Sequence, residues 1–197
     1  MKQLMLAWRM YIDDYDEILP PANDAVYRFS GKVYGSEPSP NYYWPFMMRN
    51  YLNMPNWPPG YWDVVPGKYR NKILKCPSLR YPIIYAWTVH YGMPICNIGG
   101  RNYGNLMPYK KYSQIKYPSR QIVFVDSFFA GYGGRYYVWN NLFSVSSSTD
   151  CVHLRHNNMA NFAFADGHVE TLTYQQAYTP GNWFYYLPWG WPISGGW

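Results

Sequence analysis

The first residues of the chain place apolar side chains at the spacing of a helix. They recur every three or four positions, at Leu4, Trp8, Tyr11 or Ile12, and Tyr15. This spacing puts them on one face of an α-helix. The pair Pro20-Pro21 then disfavours helix, because proline lacks an N–H donor and restricts the residue before it. The pattern predicts an amphipathic helix within residues 1–19 that ends near Ile18.

Period-two and continuous apolar patterns later in the chain predict four β-strands. They are the segments 82–91, 121–129, 161–165 and 168–173. The apolar run before Asp126 is typical of a central strand. The last two segments flank Asp166-Gly167, a pair that favours a type I′ turn. An antiparallel hairpin is therefore predicted here.

The remaining segments lack a sustained period. Residues 22–80 are rich in proline, asparagine, glycine and aromatics, with one short helix predicted over 43–52. Residues 174–197 form a tail rich in tryptophan, tyrosine, glycine and proline. These patterns predict an α+β domain over 1–197, with the helix 1–19, a loop-rich insert 22–80, a sheet 81–173 and the aromatic tail 174–197.

Composition excludes several protein classes. Aromatic residues make up 21% of the 197 residues and charged residues only 14%, which argues against a disordered chain. The 16 glycines and 17 prolines interrupt the chain too often for a helical bundle. The sequence contains no run of about 20 apolar residues that would span a membrane.

Charge is distributed unevenly. Ten lysines and arginines and no acidic residue lie between Val64 and Val125. Such a bias favours an acidic partner, either a neighbouring subunit or an acidic polysaccharide. It matches no nucleic-acid-binding signature, so a nucleic-acid partner is not predicted. The acidic run 13–17 is predicted to be the solvated last turn of the helix.

The segment from His156 to Gly167 reads HNNMANFAFADG. This resembles the H-X9-DG signature of prepilin-type, pseudopilin-like proteins. Further resemblances follow in the order of that family: KQLMLAWRMYIDDYDEILP at 2–20, the segment 43–52, Cys76-Pro77-Ser78, Tyr91-Gly92-Met93, and Pro118-Ser119 before the IVFV strand.

The resemblance implies a pilin-like fold, with an N-terminal helix packed on an antiparallel sheet. It also implies a non-enzymatic structural subunit of an extracellular filament or a type II secretion-like apparatus. Its partners would be other pilin-like subunits, and it would be exported to the cell surface, the periplasm or the medium. Members of this family begin with a short leader and a hydrophobic helix, which this sequence does not show before Met1. We therefore expect either a truncated chain or a relative that naturally lacks the helix, with membrane association only through such a helix.

The signature residues His156, Asp166 and Gly167 are predicted to be structural. A hydrogen bond between a ring nitrogen of His156 and a group near Asp166 would hold the loop against the hairpin. Such a bond contributes about 0.5–1.5 kcal/mol to the stability of the fold. Asp166, His168 and Glu170 share one strand face, so together with His156 they are the candidate metal ligands. The favoured interpretation is a solvated face with no metal.

No catalytic constellation is apparent. The serines at 144–148 lack a nucleophile elbow, and the glycines at 131–134 lack the lysine of a phosphate-binding loop. No catalytic residue and no cofactor are predicted.

Cys76 and Cys96 flank the segment 82–91 and are the favoured disulfide partners. The enclosed loop of about 19 residues would stabilise the fold by about 3 kcal/mol on the chain-entropy model. Cys151 is the alternative partner for either.

The aromatic tail offers exposed rings as a second kind of site. Trp183, Trp189 and Trp191 can stack on sugar faces or anchor another subunit, or they can cover this domain's own sheet. The alternative function is therefore a surface carbohydrate-binding module that recognises acidic glycans.

Overall fold

The N-terminal segment forms the predicted helix, α1 (Lys2–Asp14), in a computed structural model of the chain. The structure describes residues 1–20, 23–24, 28–29, 32–33, 42–58, 63–70, 72–94, 98, 111–129, 132–135, 137–138, 143–144 and 151–178. The buried side of α1 is the predicted stripe with two additions: Leu4, Met5, Ala7, Trp8, Tyr11 and Ile12. Tyr15, predicted to continue the stripe, is 37% exposed.

The helix ends several residues before the position predicted from Pro20-Pro21. Asp16 and Glu17 adopt left-handed backbone conformations, with φ of 50° and 64°. The Glu17 N–H donates to the Ile12 carbonyl at 2.9 Å. This reversal satisfies a carbonyl at the helix end in the manner of a left-handed cap, so α1 stops before the prolines are reached.

The acidic run 13–17, which begins in the last turn of α1, is exposed, as predicted for a solvated last turn. Asp13 pairs with Arg9 one turn earlier at 3.1 Å, and the Tyr51 hydroxyl donates to Asp14 at 2.8 Å. Asp13 and Asp14 thus each have a partner at the surface.

The other regular elements are short. Two further helices are α2 (Trp44–Met47) and α3 (Tyr174–Tyr178). Turns of 3₁₀ helix cover Gly67–Tyr69, Tyr112–Gln114 and Pro118–Arg120. The strands are β1 (Asn23–Asp24), β2 (Arg28–Phe29), β3 (Lys32–Val33), β4 (Tyr42–Tyr43), β5 (Tyr91–Pro94), β6 (Ile122–Phe128), β7 (Tyr137–Val138), β8 (Phe143–Ser144), β9 (Cys151–His153), β10 (Met159–Phe164) and β11 (Val169–Thr173).

The main sheet is largely antiparallel and follows the order β11-β10-β6-β5-β7. The pairs β10–β11, β10–β6, β5–β6 and β6–β9 are antiparallel, whereas the two-residue pairs β5–β7 and β8–β9 are parallel. Within the insert 22–80, β1 pairs with β4 and β2 with β3. An N-terminal helix and an antiparallel sheet make this an α+β structure, as predicted.

Strand β6 lies at the centre of the sheet, as its apolar run predicts. All of its residues are buried. Val123 and Phe124 belong to the large cluster that also contains α1. Ile122 and Val125 belong to a second cluster with Phe162 and other residues of β10 and β11. The sheet is therefore covered on both faces along this strand.

The segment 82–91 was predicted to be a strand, and this prediction is wrong for most of its length. Only Tyr91 belongs to β5, while residues before it form turns and irregular backbone. The Thr88 hydroxyl accepts hydrogen bonds from the N–H groups of Ile84 and Tyr85 and donates to the Tyr85 carbonyl. A side chain that bonds its own backbone in this way competes with strand pairing.

The predicted helix over 43–52 is shorter than expected. It forms only over α2, and turns follow it. Trp44, the first residue of α2, is buried and packs on Phe124 of β6, with ring centroids 4.7 Å apart. No described helix is both long and apolar enough to cross a membrane.

The predicted hairpin over β10 and β11 forms with a different turn. Asp166 does not have a positive φ, whereas Gly167 has a φ of 98°. The Gly167 N–H donates to the Phe164 carbonyl at 2.8 Å, and the Phe164 N–H donates to the His168 carbonyl at 3.0 Å. This is a three-residue loop with glycine at the left-handed position, in place of the predicted two-residue type I′ turn.

Candidate functional site

A buried carboxylate lies at an interruption along one edge of β6. Val125 of this edge pairs with β10, whereas Ser127 pairs with β9. Asp126 falls between them and is fully buried. The loop 154–158, which joins β9 to β10, lies next to Asp126. The loop therefore passes over the carboxylate instead of continuing the sheet.

Two asparagines fold the loop into a tight turn. Asn157 and Asn158 have φ of 55° and 60°. The backbones of His156 and Met159, on either side, exchange both N–H···O=C hydrogen bonds, at 3.0 and 3.1 Å. Positive φ at both central residues is the property of a type I′ turn, which asparagine tolerates. The turn fixes the backbone of His156 next to β6.

Arg155 neutralises the buried carboxylate from one side. Its Nη2 lies 3.4 Å from Oδ1 of Asp126, and both side chains are almost completely buried. The same nitrogen donates to the carbonyls of His90 at 3.0 Å and Ser127 at 2.8 Å. Arg155 therefore joins β6 to the residue before β5 and holds its charge beside Asp126.

His156 approaches the other carboxylate oxygen. Its Nε2 lies 3.2 Å from Oδ2 of Asp126 and 3.6 Å from Sγ of Cys76. The Asn161 N–H donates to the same Oδ2 at 2.7 Å. Cys76 is buried, while 25% of the His156 side chain is exposed. The thiol, the imidazole and the carboxylate thus meet at one place, where only the imidazole is partly exposed.

The backbone around the thiol is held by His90. The Cys76 N–H donates to Nδ1 of His90 at 3.1 Å, which requires that nitrogen to be unprotonated. Burial lowers the pKa of His90 to about 3, and the nearby positive charge of Arg155 acts in the same direction. His90 is therefore a neutral imidazole that accepts a hydrogen bond.

Tyr91, the residue after His90, also lies beside Cys76. Burial raises the pKa of its phenol well above the ordinary value, and the neighbouring Cys76 and Asp126 act in the same direction. Its hydroxyl, hydrogen bonded to Cys76, is therefore neutral.

The structure does not form the predicted pair between His156 and Asp166. Nδ1 of His168 lies 2.6 Å from Oδ1 of Asp166, and His156 contacts Asp126 and Cys76 instead. The turn of the hairpin brings Asp166 next to His168, which is exposed. The loop that carries His156 lies over the interior of the sheet and does not reach this turn. Asp166, Gly167, His168 and Glu170 are all exposed.

The structure also does not form the predicted disulfide between Cys76 and Cys96. Cys76 is a free, buried thiol, facing the imidazole of His156. Cys96 lies outside the described residues. The backbone of Cys151 forms the start of β9.

Two other predicted features fall partly or wholly outside the described residues. Trp183, Trp189 and Trp191 of the aromatic tail lie outside them. Part of the glycine segment 131–134 is described, and there Gly133 has a φ of 82° and packs directly on Tyr81. This glycine is thus needed for close packing.

Sequence reasoning missed Asp126, Arg155 and the position of Cys76 relative to His156. One signal was present: a single carboxylate within a continuous apolar strand must find a partner once the strand is buried. The pairing itself could not be read from spacing, because Cys76 and Asp126 are 80 and 30 residues from His156.

The contacts of His156 restrict the chemistry of the cluster. In a nucleophile–histidine–carboxylate relay, the nucleophile and the carboxylate contact different ring nitrogens. Here both the thiol and the carboxylate face Nε2. The three groups converge on a common point instead of forming a relay.

Comparisons with protein-family models, with curated proteins and with solved structures find no match to this chain.

Proposed function

We propose that this protein is a non-enzymatic, pseudopilin-like structural subunit of an extracellular filament or a type II secretion-like apparatus. Its partners are other pilin-like subunits, and it acts outside the cytoplasm. The observation that carries the proposal is the packing of α1, through its buried stripe, on an antiparallel sheet. The H-X9-DG resemblance and the order of the accompanying motifs support it.

The outer face of α1 offers a surface for subunit packing. Leu6 and Met10 are 63% and 47% exposed and lie one helical turn apart, so their side chains are neighbours. The opposite face of the helix is fixed on the sheet. An apolar pair on a helix held in this way suits a contact with another subunit.

The buried polar groups also fit a structural role for the signature histidine. His156 and Arg155 hold the loop 154–158 against Asp126 of the central strand. Removing water from this carboxylate is tolerated because charged and N–H donors surround it. In this proposal the signature maintains the shape of the subunit.

The proposal is tested by labelling the protein on the cells that produce it and examining them by electron microscopy. We expect labelled polymers or secretion assemblies outside the cytoplasm. The double variant Leu6→Glu/Met10→Glu is expected to prevent assembly while thermal melting stays unchanged. Val64→Glu, at a position that is 57% exposed and outside the helix, is the matched control and should assemble.

Unassembled protein on those cells, together with a monomer at every concentration in analytical ultracentrifugation, would contradict the proposal. Assembly by the double variant would contradict the role of the helix face alone.

A further inference from the structure

We propose that Cys76, Asp126 and His156 form a Zn²⁺ site, in which Sγ, Oδ2 and Nε2 are the three protein ligands. The three donor atoms all lie within 4.8 Å of one another. They come from separate parts of the chain and are brought together by the central strand and the loop 154–158. This site is different from the candidates of the hairpin, where Asp166 and His168 contact each other at the surface.

The two donor separations measured from Nε2 of His156 match those required by a tetrahedral zinc ion. With Zn–S of about 2.3 Å and Zn–N and Zn–O of about 2.0–2.2 Å, tetrahedral geometry places sulfur and nitrogen about 3.6 Å apart, and nitrogen and oxygen about 3.4 Å apart. The observed distances from Nε2 are 3.6 Å to Sγ of Cys76 and 3.2 Å to Oδ2 of Asp126. The third separation, between the thiol and the carboxylate, is within 4.8 Å, so binding of an ion would draw these two groups to about 3.6 Å or less.

The types of ligand select zinc over the hard cations. Thiolate and imidazole are the usual ligands of Zn²⁺, whereas Ca²⁺ and Mg²⁺ require a shell of oxygen atoms. Three protein ligands leave a fourth position for water, next to a His156 side chain that is 25% exposed. The thiolate and the carboxylate supply two negative charges to the ion, while Arg155 beside Oδ1 adds one positive charge, so the occupied site has a net charge of +1.

Neighbouring groups already orient the ligands. The Asn161 N–H donates to Oδ2 of Asp126 at 2.7 Å, and Arg155 lies beside the other oxygen at 3.4 Å. Oδ1 accepts no hydrogen bond from the described residues, so Arg155 compensates it by charge alone. The Cys76 N–H is held by His90. Contacts of this kind, made to the ligands by groups that do not touch the metal, fix the direction of metal ligands.

The test uses the full chain, stripped of metal with a chelator and kept reduced. Titration with Co²⁺ is expected to give one equivalent of binding, with thiolate-to-cobalt charge-transfer absorption and the strong visible bands of a four-coordinate ion. Zn²⁺ is then expected to displace Co²⁺ at one equivalent and to raise the melting temperature. A competing chromophoric chelator gives the affinity for Zn²⁺.

Variants of the ligands decide the location of the site. Cys76→Ser is expected to abolish the charge-transfer absorption, and His156→Gln to weaken Zn²⁺ binding by at least about 100-fold. His168→Gln is the matched control, because His168 also contacts a carboxylate but belongs to the exposed hairpin. It should bind as the wild type does.

Near-ultraviolet circular dichroism establishes that each variant is folded. If Cys76→Ser does not fold, His156→Gln alone decides, because its side chain lies partly at the surface. The proposal is overturned by wild-type protein that binds no stoichiometric Zn²⁺. It is equally overturned by charge-transfer absorption that survives Cys76→Ser, or by an equal loss of affinity in His168→Gln. None of these outcomes depends on whether the subunit assembles.

Discussion

Asp126 carries the one buried negative charge of β6, and its surroundings show how such a charge is tolerated. A carboxylate taken out of water is costly unless opposite charge and hydrogen-bond donors replace the solvent. Arg155 lies 3.4 Å from one oxygen, while the Asn161 N–H and His156 approach the other. The partners depend on Asp126 in turn, because Arg155 is buried beside it.

Replacing Asp126 with alanine is therefore expected to destabilise the protein by about 3–5 kcal/mol, since the guanidinium of Arg155 would stay buried without its counter-charge. Asp13→Ala is the matched control. Asp13 also pairs with an arginine, but both side chains are about half exposed, and such pairs contribute about 0.3–0.5 kcal/mol. Urea unfolding measures both changes. Similar losses for the two variants would contradict this account of Asp126.

Sequence reasoning at the residue scale singled out His156 but paired it with a different carboxylate from the one that it contacts in the structure. Asp166 was the natural choice, because it lies ten residues away within one signature. The actual partner, Asp126, belongs to another strand, and only the pairing of β6 with both β9 and β10 brings it under the loop. Local pattern contains no information about that register.

At the scale of elements, the loop 154–158 depends on two consecutive left-handed residues. Asn157 and Asn158 have positive φ, which costs most residues about 1–2 kcal/mol but costs asparagine and glycine less. The sequence suggested a type I′ turn at Asp166-Gly167. The structure places positive φ at both central residues of the Asn-Asn turn instead.

The conformation of this turn gives a paired prediction. Asn158→Ala is expected to destabilise the protein by about 1 kcal/mol, because alanine is strained at a φ of 60°. Asn158→Gly is expected to be neutral or slightly stabilising, since Asn-Gly is a preferred sequence for this turn. Thermal or urea unfolding of both variants makes the comparison. Equal losses for alanine and glycine would show that the asparagine side chain matters more than its backbone.

The elements that sequence predicted correctly are those defined by nearby residues. The stripe of α1, the apolar run of β6 and the hairpin of β10 and β11 each depend on a few neighbours, although the turn type of the hairpin was wrong. The segment 82–91 has the composition of a strand, but the hydroxyl of Thr88 bonds the backbone of Ile84 and Tyr85. One side chain thus redirects a segment whose average propensity favours β structure.

At the scale of the whole molecule, the interior is held together by close backbone approaches as well as by apolar packing. A Cβ atom on Gly134 would lie 2.3 Å from the Val89 carbonyl oxygen, so this part of the chain fits directly against the segment before β5. His90 lies in the same segment, fully buried, with its Nδ1 bonded to the Cys76 N–H. A neutral imidazole at this junction makes the stability of the whole fold sensitive to pH.

Burial lowers the pKa of His90 from about 6.5 to about 3, so between these values the unfolded chain holds a proton that the folded protein does not. Protons therefore favour unfolding in this window. The contribution of His90 to stability is complete above about pH 6.5 and is lost as the pH falls toward 3, by at most about 1.4 kcal/mol per pH unit.

His90→Asn keeps an acceptor for the Cys76 N–H but cannot take up the proton. Urea unfolding from pH 7 to pH 4 should give a shallower loss of stability for His90→Asn than for the wild type, whatever their difference at pH 7. His168→Asn, at an exposed position, should keep the wild-type slope, and a His90→Asn variant with an unchanged slope would show that this imidazole is not the group responsible.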